Sequence, residues 1–316
     1  MKLFLLIFTA LSSLFLTHTQ AAESYLVMEA NSNRVLLALN SEKKRPVASL
    51  TKIAATKVVL DWAKLSQTSL TTMVVIPETS VIFPGANPMN LRPGDRLSIR
   101  DAIYSSMLGA DDMAMYALAE HVGRGLLARR QRQGEPQKTF VAEMTNLAKA
   151  LGMRKTRFVT PYGLDLKWKK GHSTAADMAR LCVHAMRDSG FIFYVKQKSR
   201  KIAVIGVDGQ SRSYTVANTN QLLGQLGVNG IKTALSATAG QCLTINSHKS
   251  PIVTKLGDGR SQVRGRDLIV IVLGSSDRFA QAKMLMNQGW VAFDQWGKSG
   301  YSVSKSKREY IIVPQL

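Results

Sequence analysis

The strongest constraint on this chain's fold is the order of its hydrophobic periods, with strand-like runs at both ends and helical spacing between them. Near the start, "SYLVMEANSNRVLLALN" (24–40) holds two β-rich runs around Asn31, Ser32 and Asn33, which predicts a hairpin. Toward the end, "FIFYVK", "KIAVIGV", "NGIKTALSA", "QCLTIN" and "DLIVIVLGS" read as strands, and a last helix, "SDRFAQAKMLMNQGWVAFDQW", precedes the tail "REYIIVPQL". Between them, "RPVASLTKIAATKVVLDWAKL" places Ile53, Val58, Val59 and Trp62 at helical spacing, with the helix starting close to Ser49. After a strand-like "TTMVVI" and a Pro/Gly-rich loop, "SIRDAIYSSMLG" and "DDMAMYALAEHVGRGLL" predict two helices meeting at a turn. The basic segment "GRGLLARRQRQGEPQK" reads as an exposed excursion, followed by helices at "KTFVAEMTNLAKALGM" and "TAADMARLCVHAMRD". Strands enclosing helices predict an α+β fold. An antiparallel sheet flanked by helices is completed by late strands, with an all-helical subdomain at about 70–190 inserted between early and late strands.

The first residues, "MKLFLLIFTALSSLFLTHTQAAES", set one lysine before an apolar run that ends in small residues, the pattern of a secretory signal peptide over 1–22. No later run approaches the roughly 18 apolar residues of a membrane span, so a soluble mature domain over 23–297 with a tail over 298–316 is expected outside the cytoplasm. The formal charge of +21 draws such a surface to polyanions, and an exported protein meets cell-wall polymers and anionic lipid rather than nucleic acid. The basic residues are scattered rather than gathered on one helix, so no nucleic-acid partner is expected. Cys182 and Cys242 are the only cysteines, and a disulfide or two buried thiols both fit.

The five histidines lack metal-ligand spacing with a cysteine or second histidine, and P-loop, dinucleotide and Gly-x-Ser-x-Gly motifs are missing. Neither a metal nor a cofactor is expected. What carries chemistry is Ser49-Leu50-Thr51-Lys52. Residues i and i+3 share a helix face, so the lysine amine stands beside the hydroxyl. A lysine whose pKa burial depresses can take the serine proton and release a nucleophile. The same spacing recurs at Ser41 to Lys44, Ser302 to Lys305 and Ser304 to Lys307, but only Ser49 opens an apolar helix. A second element is Lys232-Thr233-Ala234 inside a strand, where an ammonium and a hydroxyl can hold a carboxylate.

With these motifs in order, the chain resembles the low-molecular-mass penicillin-binding proteins, serine-type D-Ala-D-Ala carboxypeptidases. They share Ser-x-x-Lys, Ser-x-Asn and Lys-Thr-Gly motifs with class A β-lactamases. The likeness runs from about residue 23 to about 297 and includes "PVASLTK", "TRFVTPYGLD" and "GIKTA" followed by "AG". It implies a β-lactamase/transpeptidase-like fold in which Ser49 is acylated and Lys52 is its general base. Lys232 and Thr233 would hold the terminal carboxylate of a peptidoglycan stem peptide or of a β-lactam, and the N–H groups of Ser49 and Leu235 would form the oxyanion hole.

The departures from that pattern fall at one site. Alignment with the family's helix puts Ala110 at the serine of Ser-x-Asn and Asp112 at its asparagine, and Ala234 replaces the motif glycine. Ala110 has no hydroxyl to relay a proton, a form of assistance worth roughly 10²–10⁴-fold. An ionised Asp112 cannot donate to a substrate carbonyl and would pair with Lys52 or Lys232, favouring the ammonium. Ala234 adds a methyl where substrate or the nucleophile helix approaches. The expected function is an exported D-Ala-D-Ala carboxypeptidase of the periplasm or cell-wall space with impaired turnover. The alternative is a catalytically inactive peptidoglycan-binding homologue. A β-lactamase is disfavoured because the chain offers no candidate for the deacylating glutamate. Relatives also carry a C-terminal β-rich domain and an amphipathic anchor, which this sequence does not show after its final helix.

Overall fold

The computed structural model describes residues 22–257, 259–302 and 309–316, so the expected leader lies outside the described residues apart from Ala22. The first hairpin forms as predicted, β1 (Ser24–Glu29) pairing antiparallel with β2 (Arg34–Leu39). Late strands β7 (Val228–Ser236), β8 (Gly240–Lys255) and β9 (Ser261–Ser275) complete a five-stranded antiparallel sheet in the order β2-β1-β9-β8-β7. The chain's earliest strand therefore lies directly against its last. β9 sits at the centre, where both faces are covered. Ile269, Ile271 and Leu273 point into the core shared with the helices, while Leu268, Val270 and Val272 point to the opposite layer. Two buried faces explain the unbroken apolar run "LIVIVL".

On one face lies α7 (Arg278–Lys298), which buries Ala282, Leu285, Met286, Gly289, Trp290, Phe293 and Trp296 along a single stripe. Gly289 lets that helix come close, since a Cβ there would lie 2.6 Å from Val27 Cγ1. On the other face pack α1 (Lys52–Leu65), α2 (Ile99–Leu108), α3 (Asp112–Arg129), α4 (Pro136–Ala150), α5 (Ala175–Met186) and α6 (Ser189–Val195). A second antiparallel sheet, β3 (Met73–Val75), β4 (Arg96–Ser98), β5 (Ser199–Ile205) and β6 (Ser211–Ala217), flanks this helical layer.

Two local readings change, and one strand, β6, carries no signal in the sequence. "FIFYVK" is helical: Asp188 caps α6 by accepting the N–H groups of Gly190 and Phe191, and Phe191, Tyr194 and Val195 are buried at helical spacing. Packing of that face overrides the β-preference of its residue types. The expected excursion at 123–138 is mostly helix, because α3 continues to Arg129 and α4 starts at Pro136. Its glycines serve packing: a Cβ on Gly123 would lie 2.1 Å from the Pro136 carbonyl oxygen, and one on Gly125 would lie 2.7 Å from the Trp62 ring. β6 has no apolar run because it is an edge strand with largely exposed side chains. Cys182 and Cys242 are both free, buried thiols, and burial pushes Cys182 up to about 12. Among the described residues no helix is long and apolar enough to cross a membrane.

Candidate active site

Ser49 stands in a tight 3-10 turn, Ala48–Thr51, which runs directly into α1. Buried Leu50 and Thr51 anchor the turn while Ser49 stays partly exposed. Ala48 is in the left-handed region at φ 42°, and its carbonyl leaves no room for a side chain on Gly163, whose Cβ would lie 2.1 Å away. Gly163 is therefore required for the 160–165 segment to reach the nucleophile. Through that approach the Tyr162 carbonyl accepts a hydrogen bond from Lys52 Nζ at 3.2 Å. Lys52 Nζ also donates to Ser49 Oγ at 3.0 Å and makes a buried ion pair with Asp112. Burial lowers the Lys52 pKa, and the Asp112 carboxylate opposes that shift.

Asp112 is delivered by the turn between α2 and α3. Ala110 takes a left-handed conformation at φ 59°, and Asp111 caps α3 by accepting the Ala114 N–H at 3.0 Å. Asp111 also accepts the Ser105 hydroxyl at 2.7 Å, and burial raises its pKa to about 6. Asp112 uses its second oxygen to accept the Ala86 N–H at 2.9 Å. Both carboxylate oxygens are occupied, and neither brings an N–H for a substrate carbonyl. Phe83, Tyr116 and Tyr162 pack together beside this carboxylate, with Phe83 5.0 Å from each tyrosine between ring centroids. Burial and the neighbouring Tyr116 and Asp112 push Tyr162 up to about 12.

The other wall is β7, an edge strand that packs against the 48–51 turn. Lys232 is 1 % exposed, and its Nζ has no hydrogen-bond partner among the described residues. Burial holds its pKa well below the ordinary lysine value, with the charge of Lys52 acting in the same direction. Thr233 shares a hydrogen bond with Thr219 at 2.6 Å, and Thr219 Oγ1 lies 3.2 Å from the Leu108 carbonyl oxygen it can donate to. The methyl of Ala234 is packed in the core rather than standing in the cleft, and the Ala234 carbonyl accepts from Arg278 Nη1 at 2.9 Å. Leu235 turns its side chain out to solvent.

The fold thus gathers Ser49, Lys52, Ala110, Asp112 and the β7 segment 232–235 from three separate regions of the chain. A cleft of about 260 Å³ runs beside the nucleophile, lined by Ala48, Thr51, Thr160, Gly163, Asp165 and Thr238. Ser49 itself does not line it, although its neighbours Ala48 and Thr51 do, and Lys52 and Asp112 are buried. Reading the sequence alone missed the Tyr162 carbonyl, the Ala86 N–H, Thr219 and Arg278. Backbone groups leave no trace in residue type. Arg278 is one arginine among many, and only the glycine at 163 signalled a close backbone approach. Among the described residues no group of three or more His, Cys, Asp or Glu is placed to hold a metal.

A serine and a lysine in one helical turn, facing a strand edge that carries a second buried lysine, have the layout of a serine acyl-transfer site on an α+β scaffold. Comparison with known proteins agrees: the profile of the D-alanyl-D-alanine carboxypeptidases matches residues 12–254, and the chain belongs to that family. It is 28% identical over 284 residues to the D-alanyl-D-alanine carboxypeptidase DacC of Escherichia coli, covering 86% of this chain and 62% of that protein. The chain thus spans less than two thirds of that relative's length. The DD-transpeptidase of Streptomyces K15 superposes with a TM-score of 0.72 at 27% identity, covering 86% of this chain and 97% of the other. Penicillin-binding protein D2 of Listeria monocytogenes, solved in its ampicillin-bound form, superposes with a TM-score of 0.67 at 23% identity, over 85% and 97% of the two chains.

Proposed function

We propose that this protein is an exported serine D-Ala-D-Ala carboxypeptidase with impaired turnover, acting on peptidoglycan stem peptides and acylated by β-lactams. Lys232 and Thr233, with Arg278 adding positive charge, hold the ligand carboxylate. Lys52 as a neutral amine accepts the Ser49 proton, and Ser49 Oγ attacks the carbonyl of the penultimate D-alanine. The backbone N–H groups of Ser49 and Leu235 receive the oxyanion. As the C–N bond breaks, the leaving amine takes the proton back from Lys52, and D-alanine departs. Water, deprotonated by the same lysine, then releases the acyl group.

The observation that carries this reading is the position of Lys52 Nζ between Ser49 Oγ and Asp112. Three acceptors surround the nitrogen, which suits an ammonium. A neutral amine also fits, with two N–H groups to Asp112 and Tyr162 and its lone pair toward the serine proton. Asp112 shifts the balance toward the ammonium, and Ala110 removes the relay hydroxyl. Both slow the reaction without dismantling it. The same two residues favour a second reading, a stem-peptide receptor that keeps the pocket and does not turn over.

Covalent labelling by a fluorescent penicillin, with Ser49→Ala as control, tests the proposal together with D-alanine release from a pentapeptide. Label on Ser49 with slow release is expected. An unlabelled wild-type chain refutes acylation, and label without any release favours the receptor.

A further inference from the structure

The site holds two lysines of equal burial and opposite surroundings. Lys52 Nζ is met by a hydroxyl, a carboxylate and a carbonyl. Lys232 Nζ, equally removed from solvent, has no hydrogen-bond partner among the described residues. An isolated buried ammonium is strongly disfavoured, whereas a neutral amine is tolerated. The charged groups acting on Lys232 are Lys52 from α1, Asp112 from α3 and Arg278 from α7, and Asp112 is already paired with Lys52. Cys242 on β8 and Tyr194 on α6, elements that also pack on β7, stay neutral because burial raises both.

We propose that Lys232 is a neutral amine in the empty site and becomes an ammonium when an anionic ligand arrives, so that the protein takes up a proton for each carboxylate it binds. The proton comes from solvent and goes to Lys232 Nζ, no other bond forms or breaks, and the product is a buried ammonium–carboxylate pair. This inference rests on Lys232 as the carboxylate-holding residue and adds its charge state. It makes the pocket self-screening: a ligand without a negative charge brings nothing to stabilise the ammonium.

The linkage has a definite sign. In the pH interval between the low pKa of the empty site and the higher one of the complex, binding consumes a proton, so affinity falls as pH rises. The slope is about tenfold per pH unit for one proton. Below the lower pKa Lys232 is already charged, and the dependence vanishes.

Calorimetric titration of benzylpenicillin into the Ser49→Ala protein, in buffers of different ionisation heat, reads the uptake directly. From about pH 6 to about pH 10, an interval with uptake of about one proton and a tenfold-per-unit loss of affinity is expected. Lys232→Arg, permanently charged, should bind with neither uptake nor slope. Binding without proton uptake at every pH overturns the inference and leaves Lys232 as a carboxylate anchor. Absence of binding overturns both readings.

Discussion

The two walls of the site, the α1–α3 side and the β7 side, treat a buried lysine in opposite ways. On the helical side three elements converge on Lys52, and every hydrogen-bonding direction of its nitrogen is filled. On the strand side Lys232 has no hydrogen-bond partner among the described residues. Burial alone does not decide the state of an ionisable group; the acceptors that remain near it do.

Several substitutions would break or sharpen this contrast. The largest effect is expected from Lys52→Met, which strands Asp112 as an uncompensated buried carboxylate. It should lower unfolding free energy by about 3–5 kcal/mol in urea denaturation and abolish penicillin labelling. Stability unchanged within error would mean that the pair is not buried as described.

Asp111, adjacent to the paired carboxylate, should set a pH dependence of its own. Its folded-state pKa, raised from 3.8 to about 6, means the native chain holds a proton that the unfolded chain has lost across that interval. Stability therefore falls as pH rises through the interval, by up to about 3 kcal/mol. Asp111→Asn, which can still cap α3 and bond Ser105, should remove the fall, as denaturation midpoints followed from acid to neutral pH would reveal.

On the strand side the opposite outcome to Lys52 is expected. Lys232→Met replaces an orphaned amine by an apolar chain of similar length and should stabilise the fold by about 1–3 kcal/mol, while penicillin labelling is lost. A destabilised variant would show that Lys232 has an effective partner in the empty site.

The smallest change is Asp112→Asn. Removing the carboxylate takes away the interaction that raises the Lys52 pKa, so the neutral amine becomes more populated at neutral pH. Each tenfold gain in that population corresponds to about 1.4 kcal/mol. Faster acylation and a pH–rate profile displaced toward lower pH are expected in stopped-flow labelling. A slower variant with an unmoved profile would make Asp112 an asset to the base rather than a brake.

Much of the scaffold is legible in the residues alone. The turn residues of 31–33, the two-faced apolar run of β9 and the stripe of α7 each state their burial through periodicity. Where residue type and packing disagreed, packing prevailed: α6 is helical although rich in strand formers, and Gly123 and Gly125 lie inside a helix because neighbours press against them. The site was legible in part. Ser49 and Lys52 disclose each other at three residues' separation, but the partner of Asp112 stayed open between two lysines, and Arg278 had no distinguishing context.

What the sequence determined by itself was local chemistry and the order of layers: a nucleophile–base pair within one helical turn, a cationic strand, and a sheet begun early and finished late. The tertiary structure decided which charges meet. Asp112 and Lys52 are sixty residues apart, and only the tertiary fold brings them together: the turn at Ala110 opens the helix that carries Asp112 to Lys52, while the 160–165 segment passes close over Ala48 and adds the Tyr162 carbonyl. Electrostatics in a low-dielectric interior depends on distances of a few ångströms between distant parts of the chain, and sequence spacing does not encode those distances.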